Sequence, residues 1–220
     1  MKTTAGVLIL LAAIAFTGVV HAQPSNDDQI LPVIQMQDVP ITTAIESLAR
    51  NAGINYILDP KLFPTIDSDG KLIPEPTVTF RLKNISARDA LTRMLNLRNI
   101  AMMEDPVTGV TRIARAGQPA NVVNGSLLEM ETNTSALFTN SIIPLIQFQD
   151  VPLDTVLKVL IGQSSVKAGL DPQISASNII LTLRWQNITA KQAIIAICQN
   201  YDLDIVKDAA TGAIEIKPKK

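Results

Sequence analysis

Four features of the chain carry residue types that could do chemistry: Cys198, His21, the pair Asp202 and Asp204, and the stretch Asp67-Ser68-Asp69-Gly70. A serine or cysteine nucleophile needs an imidazole beside it as base. His21 is the only histidine in 220 residues, and it lies in the N-terminal stretch MKTTAGVLILLAAIAFTGVVHA. That stretch has one charge, Lys2, then an apolar run from Ala5 to Val20, then Val20 and Ala22 at the −3 and −1 positions of a cut after Ala22. This is the pattern of a secretory signal peptide, with an apolar run short for a membrane span. Export with cleavage removes the histidine, and with it the only candidate base. Lys2 leaves too, so the mature chain has 18 basic against 20 acidic residues and a net charge near −2. No global attraction to nucleic acid or anionic lipid follows from that balance.

The remaining candidates have ordinary explanations. Cys198 falls on the apolar stripe of an expected helix, where a small buried filler is the natural reading, and a lone cysteine excludes an intrachain disulfide. No cysteine follows the cut site to take a lipid anchor. Zinc requires clustered Cys or His, which are absent. In Asp67-Ser68-Asp69-Gly70 the glycine comes four residues in, where a calcium loop needs it at six, and no glutamate closes a twelve-residue loop. Asp202 and Asp204 could face one way from a strand as paired carboxylates, but the first copy has Asn99 and Ala101 there, and a solvated edge is the better reading. Aromatic residues are 4% of the chain, too few for a base-stacking platform, and no glycines are spaced as GxxG. The expectation is a protein with no catalytic residue, cofactor, metal, nucleic-acid partner or small-molecule substrate.

The elements that would position any site are written twice. "PVIQMQDVP" at 32–40 returns as "PLIQFQDVP" at 144–152, and residues 32–60 align without a gap onto 144–172 with 12 identities in 29 positions. "VTFRLKNISARDAL" at 78–91 faces "LTLRWQNITAKQAI" at 181–194, within a second block that pairs 77–115 with 180–218. The first copy carries nine extra residues between its blocks, in the Pro-, Asp- and Gly-rich "KLFPTIDSDGKLIPEP", a surface loop by composition. The organisation is therefore a signal peptide at 1–22, a first module at 30–115, a linker at 116–140 and a second module at 141–218.

Within each copy the hydrophobic period changes in a fixed order. Ile34 and Met36, matched by Ile146 and Phe148, alternate with glutamines as in a half-buried strand. After Val-Pro, the residues Ile41, Ala44, Ile45 and Leu48 fall at helical spacing, matched by Leu153, Val156, Leu157 and Leu160. Gly53 is a helix stop in the first copy. "NYIL" makes a short strand, whereas "KAGL" predicts a shorter or irregular one. Val78, Phe80 and Leu82 give a third strand, matched by Leu181, Leu183 and Trp185. Ser86 with Asp89, and Thr189 with Gln192, start a second helix, the latter pair as a capping box. Ala90, Leu91, Met94 and Leu95 form its buried stripe, facing Ala193, Ile194, Ile197 and Cys198. A hairpin closes each copy at Thr108-Gly109 and Thr211-Gly212. The fold class is α+β: two tandem β-α-β-β-α-β-β modules, each with two helices packed on one face of a small mixed sheet and each closing its own core.

"QDVPITTAIESLARNAGINYILDP" followed by "VTFRLKNISARDALTRML", and again "QDVPLDTVLKVL" with "LTLRWQNITAKQAIIAIC", resembles the short N-terminal domain of bacterial secretins and TonB-dependent receptors. The resemblance covers about 160 residues and does not extend to an outer-membrane pore or a receptor barrel. It implies a periplasmic module that packs against copies of itself or docks partner proteins, without chemistry. The expected partners are then secretin or pilus components, or a second copy, for a protein that is soluble or peripheral to the outer membrane. The alternative is a periplasmic signalling adaptor resembling the N-terminal domain of TonB-dependent transducers. The expected contact residues are polar positions repeated between the copies on the non-core side of the strands: Gln35, Gln37, Thr79 and Arg81, and Gln147, Gln149, Thr182 and Arg184. Asn84-Ile85-Ser86 and Asn187-Ile188-Thr189 have the spacing of glycosylation acceptors but read better as helix starts. Asn124-Gly125-Ser126, in the linker, has the same spacing.

Overall fold

A computed structural model describes residues 29–63, 69, 71, 73–117, 141–164, 168–207 and 214–219. The expected signal peptide, nearly all of the expected linker, most of the Asp67–Gly70 stretch and the expected Thr211-Gly212 turn lie outside the described residues. The first module runs β1 (Ile30–Pro40), α1 (Ile41–Asn51), β2 (Tyr56–Leu58), β3 (Thr77–Ser86), α2 (Ala87–Asn96), β4 (Ile100–Glu104) and β5 (Thr111–Arg115). The second runs β6 (Ile142–Pro152), α3 (Leu153–Gln163), β7 (Ala168–Leu170), α4 (Pro172–Ala176), β8 (Ile180–Thr189), α5 (Ala190–Asn200), β9 (Leu203–Lys207) and β10 (Ile214–Pro218). The α+β class and the two repeated modules read from the sequence are both present.

The strands do not form one sheet per module, as the periodicity suggested. In each copy they divide into an antiparallel two-stranded ribbon, β1–β3 or β6–β8, and a three-stranded sheet, β2-β5-β4 or β7-β10-β9. In the latter the short strand runs parallel to the last one and the closing hairpin is antiparallel. Alternation reports that a strand has one buried face, not which strands share a sheet. The core explains the division. The ribbon supplies Ile34, Val78 and Ile85, the sheet supplies Tyr56, Ile100 and Ile113, and the helices supply Ala44, Leu48, Leu91 and Leu95 to one cluster. Each fully buried leucine or isoleucine there contributes about 1.5–3 kcal/mol relative to exposure.

Local chemistry explains why both copies repeat particular polar residues. β1 and β6 each carry a bulge, with Asp38 at φ 50° and Asp150 at φ 53°. Aspartate tolerates this left-handed conformation better than most residues. Each bulge is closed from the neighbouring strand. The Asp38 N–H donates to Thr79 Oγ1 at 2.9 Å and the hydroxyl donates back to Asp38 Oδ1 at 3.2 Å. Asp150 and Thr182 repeat the exchange at 3.0 and 3.1 Å. Asn84 and Asn187 are also left-handed, at 49° and 52°, and turn the chain into the next helix. Ser86 then accepts from the Asp89 N–H, and Thr189 forms a full capping box with Gln192. These are the two Asn-x-Ser/Thr helix starts.

Two outcomes differ from expectation. β7 is as long as β2, three residues each, because pairing with β10 rather than side-chain propensity holds it. The helix α4 was not anticipated, although Asp171 caps it by accepting from the Gln173 N–H at 2.8 Å and Pro172 follows at the first turn. Asp59 makes the corresponding turn in the first copy, accepting from the Lys61 N–H at 2.8 Å. That shared turn is why "LDP" occurs twice.

Candidate interaction site

Seven of the eight repeated polar residues are exposed on the ribbons. The exposed Gln35 lies directly across from Arg81, and Gln147 across from Arg184. Gln37 and Gln149 sit beside the bulges and are exposed. Thr79 and Thr182 are the bulge clamps, so their identity between copies has a structural cause whatever else they touch. Arg81 is exposed, but Arg184 is half-buried. With its amide oxygen turned toward the guanidinium, Gln186 accepts from both Arg184 Nη atoms at 3.1 Å.

Arg184 differs from Arg81 because the first module packs beside it. Asn55 clamps the backbone of Gln186 at two points: its Nδ2 donates to the Gln186 carbonyl at 2.8 Å, and its Oδ1 accepts from the Gln186 N–H at 2.8 Å. A side-chain amide here reproduces the donor–acceptor pair of a neighbouring strand. The buried Trp185 Nε1 donates to the Tyr56 carbonyl at 2.6 Å, and Asn200 Nδ2 donates to the Leu58 carbonyl at 3.0 Å. Ile57 and Val110 of the first module belong to the apolar cluster of the second. The two cores are distinct clusters, but the expectation that each copy closes its own interior needs this correction. The second core is completed by two side chains from the first module, because the β8–α5 face is apolar enough to need cover.

Charge is also buried at this junction. Arg112 Nη2 meets Asp59 Oδ2 at 2.6 Å, with Asp59 almost fully buried. The equivalent positions in the second copy are Glu215 and Asp171, which cannot form the pair, so this bridge belongs to the first module alone. Tyr56 and Tyr201 both sit at the junction. Burial is the main cause that pushes each phenol up to about 12, with the nearby carboxylate of Glu46 adding to the effect at Tyr56.

The residues first considered for chemistry fall elsewhere. Cys198 is fully buried on α5, and burial pushes its thiol well above the usual range, so it is a packing residue rather than a thiolate. Asp202 takes φ 51° at the turn before β9, as Asn99 does at 57° before β4, and Asp204 lies half-buried within β9. Among the described residues no group of three or more His, Cys, Asp or Glu is placed to hold a metal ion. No described helix is long and apolar enough to cross a membrane. A scan against protein-family models and a search of curated proteins return no match for this chain.

Sequence reasoning missed Asn55, Trp185 and Asn200, the three residues that make the junction. All three are absent from the other copy, where Lys167, Leu82 and Leu97 stand. The available signal was Trp185 itself: the only tryptophan, on the inward side of a strand, with an N–H that must find an acceptor once buried.

Proposed function

We propose that this protein is a non-enzymatic exported scaffold or adaptor that acts through protein–protein contacts with an envelope secretion or type IV pilus secretin system. The observation that carries this reading is the junction. One module's strand edge is held by the strand–helix face of its twin through backbone clamps and apolar side chains, so this module type is built to be docked against. The exposed ribbon faces, with Gln35, Gln37 and Arg81 in the first copy and Gln147 and Gln149 in the second, offer hydrogen-bonding and charged groups for further partners. The resemblance to secretin N-terminal domains supports the periplasmic setting.

Crosslinking in envelope extracts, followed by partner identification, tests the reading. Recovery of a secretin or pilus component is expected. Recovery of a membrane regulator of transcription instead would move the protein to the signalling class. Replacing Arg81 by glutamate tests the ribbon face, since Arg81 is exposed and its loss should not disturb folding. An unchanged crosslinking pattern removes it from the contact.

A further inference from the structure

The second module shows what its strand–helix face is for, because that face is filled. Position for position, the first module carries the same face uncovered. Leu183, Trp185 and Asn200 are 3%, 0% and 4% exposed beneath the first module, whereas their equivalents Phe80 and Leu82 are half-buried and Leu97 is 88% exposed. Between β3 and α2 these side chains line an open groove of about 740 Å³. Leu97, 88% exposed, joins Phe80 and Leu82 in one contiguous apolar patch, and a patch with a polar rim is the kind of surface that marks an interaction site.

The rim has changed in a consistent direction. Arg93 and Arg98, both exposed and both lining the groove, stand where the second copy has Ala196 and Tyr201. Neither makes an ion pair with a described residue. Two arginines beside an apolar floor favour a partner that brings carboxylates with its apolar side chains.

We infer that the β3–α2 groove of the first module docks an extended segment of another protein in which apolar side chains alternate with carboxylates. This rests on the adaptor reading above and gives the chemistry of the partner. A second copy of this chain does not suit the groove. Its own Asn55–Leu58 edge is engaged at its junction, and the equivalent edge of the second module offers Ala168 and Gly169 where Tyr56 and Ile57 stand, with Lys167 in place of Asn55. That edge would bring little apolar surface and one more cation.

The test uses the mature chain, residues 23–220, and two synthetic seven-residue peptides, one alternating glutamate with valine and leucine, the other with lysine in place of glutamate. Backbone amide shifts are followed by NMR. The glutamate peptide is expected to shift Phe80 to Lys83 and Asn96 to Arg98 and to bind at least tenfold more tightly than the lysine peptide. Leu97→Asp should weaken it at least tenfold with Tm unchanged, and the double replacement R93E/R98E should invert the preference. Equal binding of both peptides, shifts confined to other surfaces, or no shift at millimolar peptide would overturn the inference. Self-association abolished by Leu97→Asp would overturn it in favour of a second copy. Envelope crosslinks that persist unchanged in the Leu97→Asp chain would remove the groove while leaving the adaptor reading intact; absence of crosslinks in both chains would remove the adaptor reading itself.

Discussion

Replacing Trp185 by phenylalanine isolates one bond of the junction. The ring remains aromatic and buried, but the Nε1–H that meets the Tyr56 carbonyl at 2.6 Å is gone. That carbonyl then has a buried lone pair without its donor, which costs about 1–3 kcal/mol. The smaller ring also leaves a void at a position that is fully buried, adding on the order of 1 kcal/mol. A total loss of about 2–4 kcal/mol follows, or roughly 5–10 °C in Tm for a chain of this size. Because Trp185 is the only tryptophan, the variant has no indole emission, and urea denaturation is followed by far-UV circular dichroism instead. The indole serves in a companion experiment. Asn55→Ala keeps Trp185 and removes both clamps to Gln186, and the loosened junction should admit water and red-shift the emission. A Trp185→Phe loss below about 0.5 kcal/mol would refute the reasoning, because surface-like changes fall in that range and a buried orphan acceptor does not.

Other perturbations have expected outcomes of their own. Asp59→Ala strands Arg112 in a mostly buried site and should cost about 3–5 kcal/mol, read by urea midpoint, while Asp171→Ala in the second copy loses only a turn cap and should cost about 1 kcal/mol. Tyr56 and Tyr201 hold their protons up to about 12 in the folded chain, against about 10 when unfolded. The unfolded state therefore releases protons first as pH rises, so stability is complete below pH 10 and falls between 10 and 12 by on the order of 1.4 kcal/mol per pH unit for each tyrosine. Urea curves at pH 9 to 12 measure the slope, and Tyr201→Phe should remove its share. Thr79→Val and Thr182→Val each open a bulge clamp and should cost about 1 kcal/mol by thermal denaturation, with no change in the hairpin at Gly109.

The elements of this fold were legible because duplication printed them twice. Ile34, Ile41, Leu48, Val78 and Leu91 recur at the same intervals as Ile146, Leu153, Leu160, Leu181 and Ile194, and a helix or strand follows from each run. Capping was legible too, since Ser86 and Thr189 act on neighbours three residues away. What could not be read is non-local. Whether β3 pairs with β1 alone or extends to β4 depends on where the helices sit in space, and no local period encodes that. The bulges were hidden for a subtler reason: Asp38 and Asp150 looked like ordinary polar residues before Val-Pro, and the threonines that clamp them lie 41 and 32 residues away. The candidate surface was read from identities between copies. That procedure found Thr79 and Thr182, whose agreement the bulges explain, and passed over Asn55, Trp185 and Asn200, which make the junction because they differ.

Within this chain the tryptophan-lined socket and the asparagine-led plug each occur once, on opposite modules. The pair consequently has a polarity, like a single link with a hook at one side and an eye at the other. Were Leu82 made tryptophan and Leu97 asparagine, the first module would gain the eye, and a grafted third unit bearing Asn-Tyr-Ile-Leu on its edge could be strung ahead of it in the same handed step.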